Sequence, residues 1–184
     1  MSGACKLVTL QPQQQEREEP QMGLDMYLSA RKYVSPIDYA ATREKNWDEI
    51  VTNPEFTELK KFFPEKALQY QDSGAEIRMN VMYWRKANQI HGWFVDHVQN
   101  GVDECQETEV EREDLENLLE LCRKVLADHK QAEIVLPVTG GFFFGNYEYD
   151  EYYFEQISYT AEALETILKE LPAGEYDFSY RASW

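Results

Sequence analysis

Two groups of side chains in this sequence have the chemistry to hold a ligand. The first is the run WRKANQIHGW at 84–93. Read as a helix, it sets Trp84, Asn88 and His91 at i, i+4 and i+7 on one flank. Arg85 points elsewhere, and Lys86 and Trp93 line the opposite flank. Indole and guanidinium faces stack on flat rings, and Asn and His read polar edges, so the set suits a small anionic or aromatic ligand such as a nucleotide. A plainer account serves the same residues: Trp and His are common at the partly buried edge of a core. The second group is TGGFFFGN, with Gly140, Gly141 and Asn146. It follows a predicted strand and precedes a predicted helix, a place where backbone amides can hold an anion. It lacks the Lys of GxxxxGK[ST] and does not read GxGxxG. The helix after it opens on Glu148, Asp150 and Glu151, acids that already complement the helix dipole and repel a phosphate. The glycines are therefore expected to turn the chain, with Phe142, Phe143 and Phe144 packing beneath the sheet.

Other chemistries lack their residues. The chain has no GxSxG, no HExxH and no HxE followed by CxxC. Cys5, Cys105 and Cys122 are widely spaced, so neither a zinc site nor a disulfide framework is expected. Cys122 falls on an apolar helix face, and Cys105 lies among acids, which disfavour a thiolate nucleophile. His91 and His97 sit about 120° apart on a helix, too far round to share a metal. His129 stands near a helix end, where it complements the dipole. No DxDxDG loop is present. No catalytic residue, metal or cofactor is expected, and an enzyme is the less favoured class.

Charge is the strongest global feature. Thirty-four acids against eighteen bases give a net charge of −16. Residues 103–168 hold seventeen acids and only Arg112, Arg123, Lys124 and Lys130, and from 131 to 168 there is no Lys or Arg at all. A field of one sign repels nucleic acid and attracts basic protein surfaces. Direct nucleic-acid binding is not expected, and a protein partner with a basic surface is. The residues best placed for it are Glu148, Tyr149, Asp150, Glu151, Tyr152 and Glu155, where tyrosine alternates with acid. Solvated helix faces are the ordinary use of such charge runs.

The elements that position these residues are legible from period and punctuation. Residues 1–21, rich in Gln, Glu and Pro, are expected to be a disordered tail without an export signal, and Met22 is a candidate start. The remaining 22–184 reads as a single domain in a cytoplasmic, reducing setting, with no stretch suited to a membrane. Leu24, Met26 and Leu28 alternate with polar residues, which predicts a strand. Asn46 and Asn53-Pro54 are expected to cap two short helices, the second packing Phe56, Leu59, Phe62 and Phe63. The stretch 75–83 predicts a second strand with Ile77, Met79, Val81 and Tyr83 on one face. A helix over 84–98 follows, with a core stripe of Tyr83, Ala87, Ile90, Phe94 and Val98. Asn100-Gly101 marks a turn, 105–110 a short acidic strand, and 112–126 an amphipathic helix. AEIVLP at 132–137 predicts a strand, and a long helix then packs Tyr153, Ile157, Ala161, Leu164 and Leu168. Residues 175–184 close the chain as a strand. Strands and helices mix without a βαβ rhythm, so the fold class is α+β, a small mixed or antiparallel sheet with three or four packed helices.

Two stretches carry a resemblance. GLDMYLSARKYVS near the start and MYWRKANQIHGWFVDHVQNGVDEC in the middle resemble small proteins encoded in tailed-phage genomes and prophages, which begin Met-Gly-Leu-Asp-Met-Tyr-Leu and end in a Ser-Trp-like tail, as at Ala182-Ser183-Trp184. FFFGNYEYDEYYFEQ is similar to that group too, and the resemblance spans 22–184. It implies a phage or prophage setting and a host-cell cytoplasm, and it transfers no catalytic residue. Small acidic proteins in that setting are often accessory factors that bind host proteins, some by imitating the charge of nucleic acid.

Overall fold

The computed structural model describes residues 23–65, 73–141 and 144–184. The expected tail, Met22, Phe142 and Phe143 lie outside the described residues. Strand β1 (Asp25–Val34) forms where period-two alternation predicts it, and Leu24, Met26 and Leu28 are fully enclosed. It pairs antiparallel with β2 (Ala75–Arg85) on one side and with β4 (Asp177–Ser183) on the other. β3 (Thr108–Val110) pairs with β4, giving a four-stranded antiparallel sheet of order β2-β1-β4-β3. Six α-helices accompany it among the described residues. Helices α1 (Tyr39–Glu44), α2 (Pro54–Lys60) and α5 (Ala132–Val135) are short, whereas α3 (Asn88–His97), α4 (Arg112–Ala127) and α6 (Glu151–Glu170) are the packed layer. The fold is α+β, as expected.

One face of the sheet carries the core. Met26, Leu28 and Ala30 of β1, and Phe178, Tyr180 and Ala182 of β4, point into a single buried cluster with the long helices. The opposite face is polar: Arg31 meets Glu76, Glu109 and Asp177, and the Arg78 guanidinium lies across the sheet to Ser29, Ser179 and Glu107. Amphipathic α4 buries Leu115, Leu118, Leu119, Cys122 and Val125. Each such leucine contributes about 1.5–3 kcal/mol relative to exposure. Burial also pushes the Cys122 thiol up to about 12, which keeps it unreactive. Helix α4 runs antiparallel to α6, and the Arg112 guanidinium at its start reaches the carbonyls of Leu168 and Leu171, which α6 leaves open at its end.

Several expectations are corrected. Asn46 caps no helix: it has φ 53 and sits in the turn that closes α1, which Asp38 caps by accepting from the Ala41 amide at 2.9 Å. Asn53 does cap α2, accepting from the Glu55 amide, but of that helix's apolar residues Phe56 alone is buried, and Phe62 and Phe63 are exposed. The stretch AEIVLP is not a strand. It continues from the end of α4 through a tight turn at His129–Gln131 into α5, with no strand among the described residues beside it. A short apolar run has no period of its own, so its neighbours decide its form.

A further correction concerns β2. Its register with β1 shifts between Leu28 and Ser29, leaving Val81 as an extra residue. Such a bulge switches which parity faces the core. Ile77 and Met79 stand opposite Lys32 and Ala30 on the helix side, but past Val81 that side belongs to Met82 and Trp84. Tyr83, expected in the core, is thereby turned out to pair with Tyr27 and Asp25. β2 continues through Arg85, so the helix begins at Asn88, after a turn at Lys86 with φ 56.

Candidate functional site

The residues singled out by type and spacing converge on the start of α3. Its first two turns, from Asn88 to Phe94, are buried on every side, because residues 138–141 and 144–146 cross the flank that the sequence leaves open. Asn88 fastens that loop. Its amide nitrogen donates to the carbonyls of Phe144 (3.1 Å) and Asn146 (2.8 Å), and its oxygen accepts from the Thr139 amide (3.1 Å). All of its side-chain groups are thus used, as burial demands. The Tyr147 hydroxyl brackets Gly141, accepting from its amide and donating to its carbonyl. Gly92 lets the loop close in: a Cβ there would lie 2.0 Å from Thr139 Oγ1.

His91 lies one turn further on and is fully enclosed. Its Nε2 is 3.0 Å from Asp103 and its Nδ1 2.8 Å from the Tyr180 hydroxyl. A carboxylate accepts, so Nε2 carries the proton and Nδ1 accepts from Tyr180. Burial holds the imidazole below its ordinary value, against the opposite pull of Asp103, so the ring is kept neutral. Burial likewise raises the Tyr180 hydroxyl well above its usual range, which preserves it as the donor. Phe144 meets the ring in an edge-type contact at 4.9 Å between centroids, and Trp184 lies tilted against it at 5.7 Å.

Tyrosine, histidine and aspartate in a chain have the form of a proton relay. The terminal hydroxyl has no exposed surface, however, so no substrate reaches it. The chain of bonds joins β4, α3 and the segment after the Asn100-Gly101 turn. Asp103 and Tyr180 carry no motif, and a period-two strand marks Tyr180 only as a core residue. Among the described residues no cluster of His, Cys, Asp or Glu has metal-binding form.

Of the residues expected to hold a ligand, Asn88, His91, Gly140, Gly141 and Asn146 do share a neighbourhood. The space left beside Asn88 and Asn146 is about 10 Å3, at most a single water. Trp84 stands apart from them on β2, 1 % exposed, its indole N–H donating to Thr160 on α6 at 2.9 Å. Arg85, also on β2, faces Asp25 at 3.9 Å. A groove of about 400 Å3 lies elsewhere, between α2 and the chain around Pro36 and Ile50, and none of these residues borders it.

The residues expected to meet a partner lie at the start of α6. Glu148, Asp150, Glu151 and Glu155 are exposed. Asp150 is also the N-cap, accepting from the Tyr153 amide at 3.1 Å. Tyr152 is exposed along its ring while its hydroxyl donates to the Arg85 carbonyl. Tyr149 turns inward onto Tyr153. Further along, Tyr159 and Glu162 continue the exposed stripe, and Glu113, Glu116 and Glu120 are exposed on α4 beside it. No known family model, curated protein or solved structure matches this chain.

Proposed function

We propose that this protein is a non-enzymatic, acidic accessory protein of a phage or prophage that binds a host protein at a basic surface. The observation that carries the reading is the outer face of α6. Glu151, Glu155 and Glu162 are exposed there with Tyr152 and Tyr159 between them, and Glu148 is exposed just before the helix, in a stretch from 131 to 168 without Lys or Arg. At 1.5 Å rise per residue, Glu151 and Glu155 stand about 6 Å apart along the helix and Glu162 about 10 Å further on, so the acids line up along one side of it. A basic cleft that accepts a phosphate backbone accepts this stripe on the same electrostatic terms. The tyrosines supply rigid contact area with little loss of side-chain freedom, and the acids steer the encounter. The phage setting rests on the resemblance of the Met-Gly-Leu-Asp-Met-Tyr-Leu opening and the 82–105 segment.

The test is capture of bacterial nucleic-acid-binding proteins on the immobilised chain at low and high salt, followed by competition with duplex DNA. Retention at low salt, release by salt or DNA, and loss in the triple variant E148K/E151K/E155K is the expected pattern. Asp150 is left unchanged because it caps α6. Capture that ignores both salt and the charge reversal would end this reading.

A further inference from the structure

We infer that the free edge of β2 pairs with the same edge of a second copy of this chain, antiparallel about a two-fold axis at Ile77. Among the described residues β2 has β1 on one side and no strand on the other. Its two halves differ. Past Val81, α6 covers it: Thr160 bonds to Trp84 and Tyr152 to the Arg85 backbone. Before Val81 no described element covers the strand, with Ala75 and Ile77 half-buried and Met79 63 % exposed on the helix side. Sheet edges are ordinarily guarded by charges, proline or a bulge. Here the bulge lies beyond the open half, no proline is present, and both charges lean away from the edge. Arg78 reaches across β1 and β4 to Glu107, and Glu76 turns toward Arg31.

A second copy fits this edge because the strand is complementary to itself in one register. Opposite residues of an antiparallel pair share a face, and like charges set opposite each other are unfavourable. Centring the axis on Arg78 would oppose two arginines, and centring it on Glu76 would oppose two glutamates. Centring it on Ile77 sets each Glu76 opposite the other copy's Arg78, and Ala75 opposite Met79. The contact is isologous, so it closes as a dimer.

The experiment measures mass by light scattering across about 1–200 µM, a range in which a concentration-dependent dimer shows itself. The expected result is a rise from 21.7 kDa toward twice that value. Single reversals E76R and R78E, each placing like charges opposite one another, return the chain to single mass, and the double swap E76R/R78E restores the dimer. Circular dichroism verifies that the variants keep their fold. Amide exchange of the unaltered chain, slower at 75–80 as concentration rises, gives a readout free of any variant. A chain that stays at single mass throughout, or a dimer indifferent to the single reversals, overturns the inference.

Discussion

His91 is the residue whose surroundings make the sharpest demand. Both ring nitrogens are committed, one as donor and one as acceptor, and burial disfavours the charged form. The unfolded chain therefore takes up a proton first as pH falls below the ordinary value of 6.5. This contribution to stability is complete above that value and declines below it, by at most about 1.4 kcal/mol per pH unit, until the folded ring protonates too. Urea unfolding of wild type and His91→Gln at neutral and mildly acidic pH reads the difference: the gap in stability narrows on acidification. A gap that stays constant would show that His91 does not titrate differently on folding. Tyr180→Phe leaves Nδ1 buried without its donor and is expected to cost about 1–3 kcal/mol. Gly92→Ala drives a methyl into Thr139, at a cost of about 1–3 kcal/mol. The double variant with Thr139→Gly recovers most of it, which thermal unfolding will register.

At the scale of elements, α6 depends on both of its ends. Asp150→Ala removes the N-cap and is expected to cost about 1 kcal/mol, measured by denaturant midpoint. The elements that were plain in the sequence are those with one buried side. α4 and α6 show their apolar stripes because solvent meets the other face, and β1 shows its alternation for the same reason. α3 hides its pattern because its start is enclosed all round, so Asn88 and His91 read as a flank open to a ligand when the chain itself fills that flank. Within β2 a single extra residue reverses the inward parity, which exchanges the roles of Tyr83 and Trp84. The convergence of Asn88, His91 and the 140–146 loop was legible from the residue types. The partners of His91 and Trp84 were not, because Asp103, Tyr180 and Thr160 carry no motif, and the last two stand 89 and 76 residues along the chain.

The molecule as a whole divides its charge unevenly. The open sheet face is a lattice of arginines and acids that largely neutralise one another, whereas the exposed sides of α4 and α6 carry an unbalanced excess of acid. With a net charge of −16, the folded chain repels itself, and added salt screens that repulsion. The midpoint of thermal unfolding is expected to rise between about 10 and 150 mM sodium chloride, where the Debye length falls from roughly 30 to 8 Å. A midpoint that falls instead would mean that the ion pairs of the sheet face outweigh the acidic layer.

The extra residue in β2 also governs how this chain can change in length. The helix-side positions are Ile77 and Met79 before it, Met82 and Trp84 after it. Without Val81 they would follow one another at an unbroken interval of two. Loss of that one codon leaves every inward side chain inward and yields a straighter, regular strand. Loss of the codon two positions later either keeps the bulge and carries Trp84 to the solvent side, away from Thr160, or closes it and exchanges Met82 for Val81 in the core. A single-codon deletion is therefore absorbed at the bulge with every inward side chain kept, and disturbs the core two residues on.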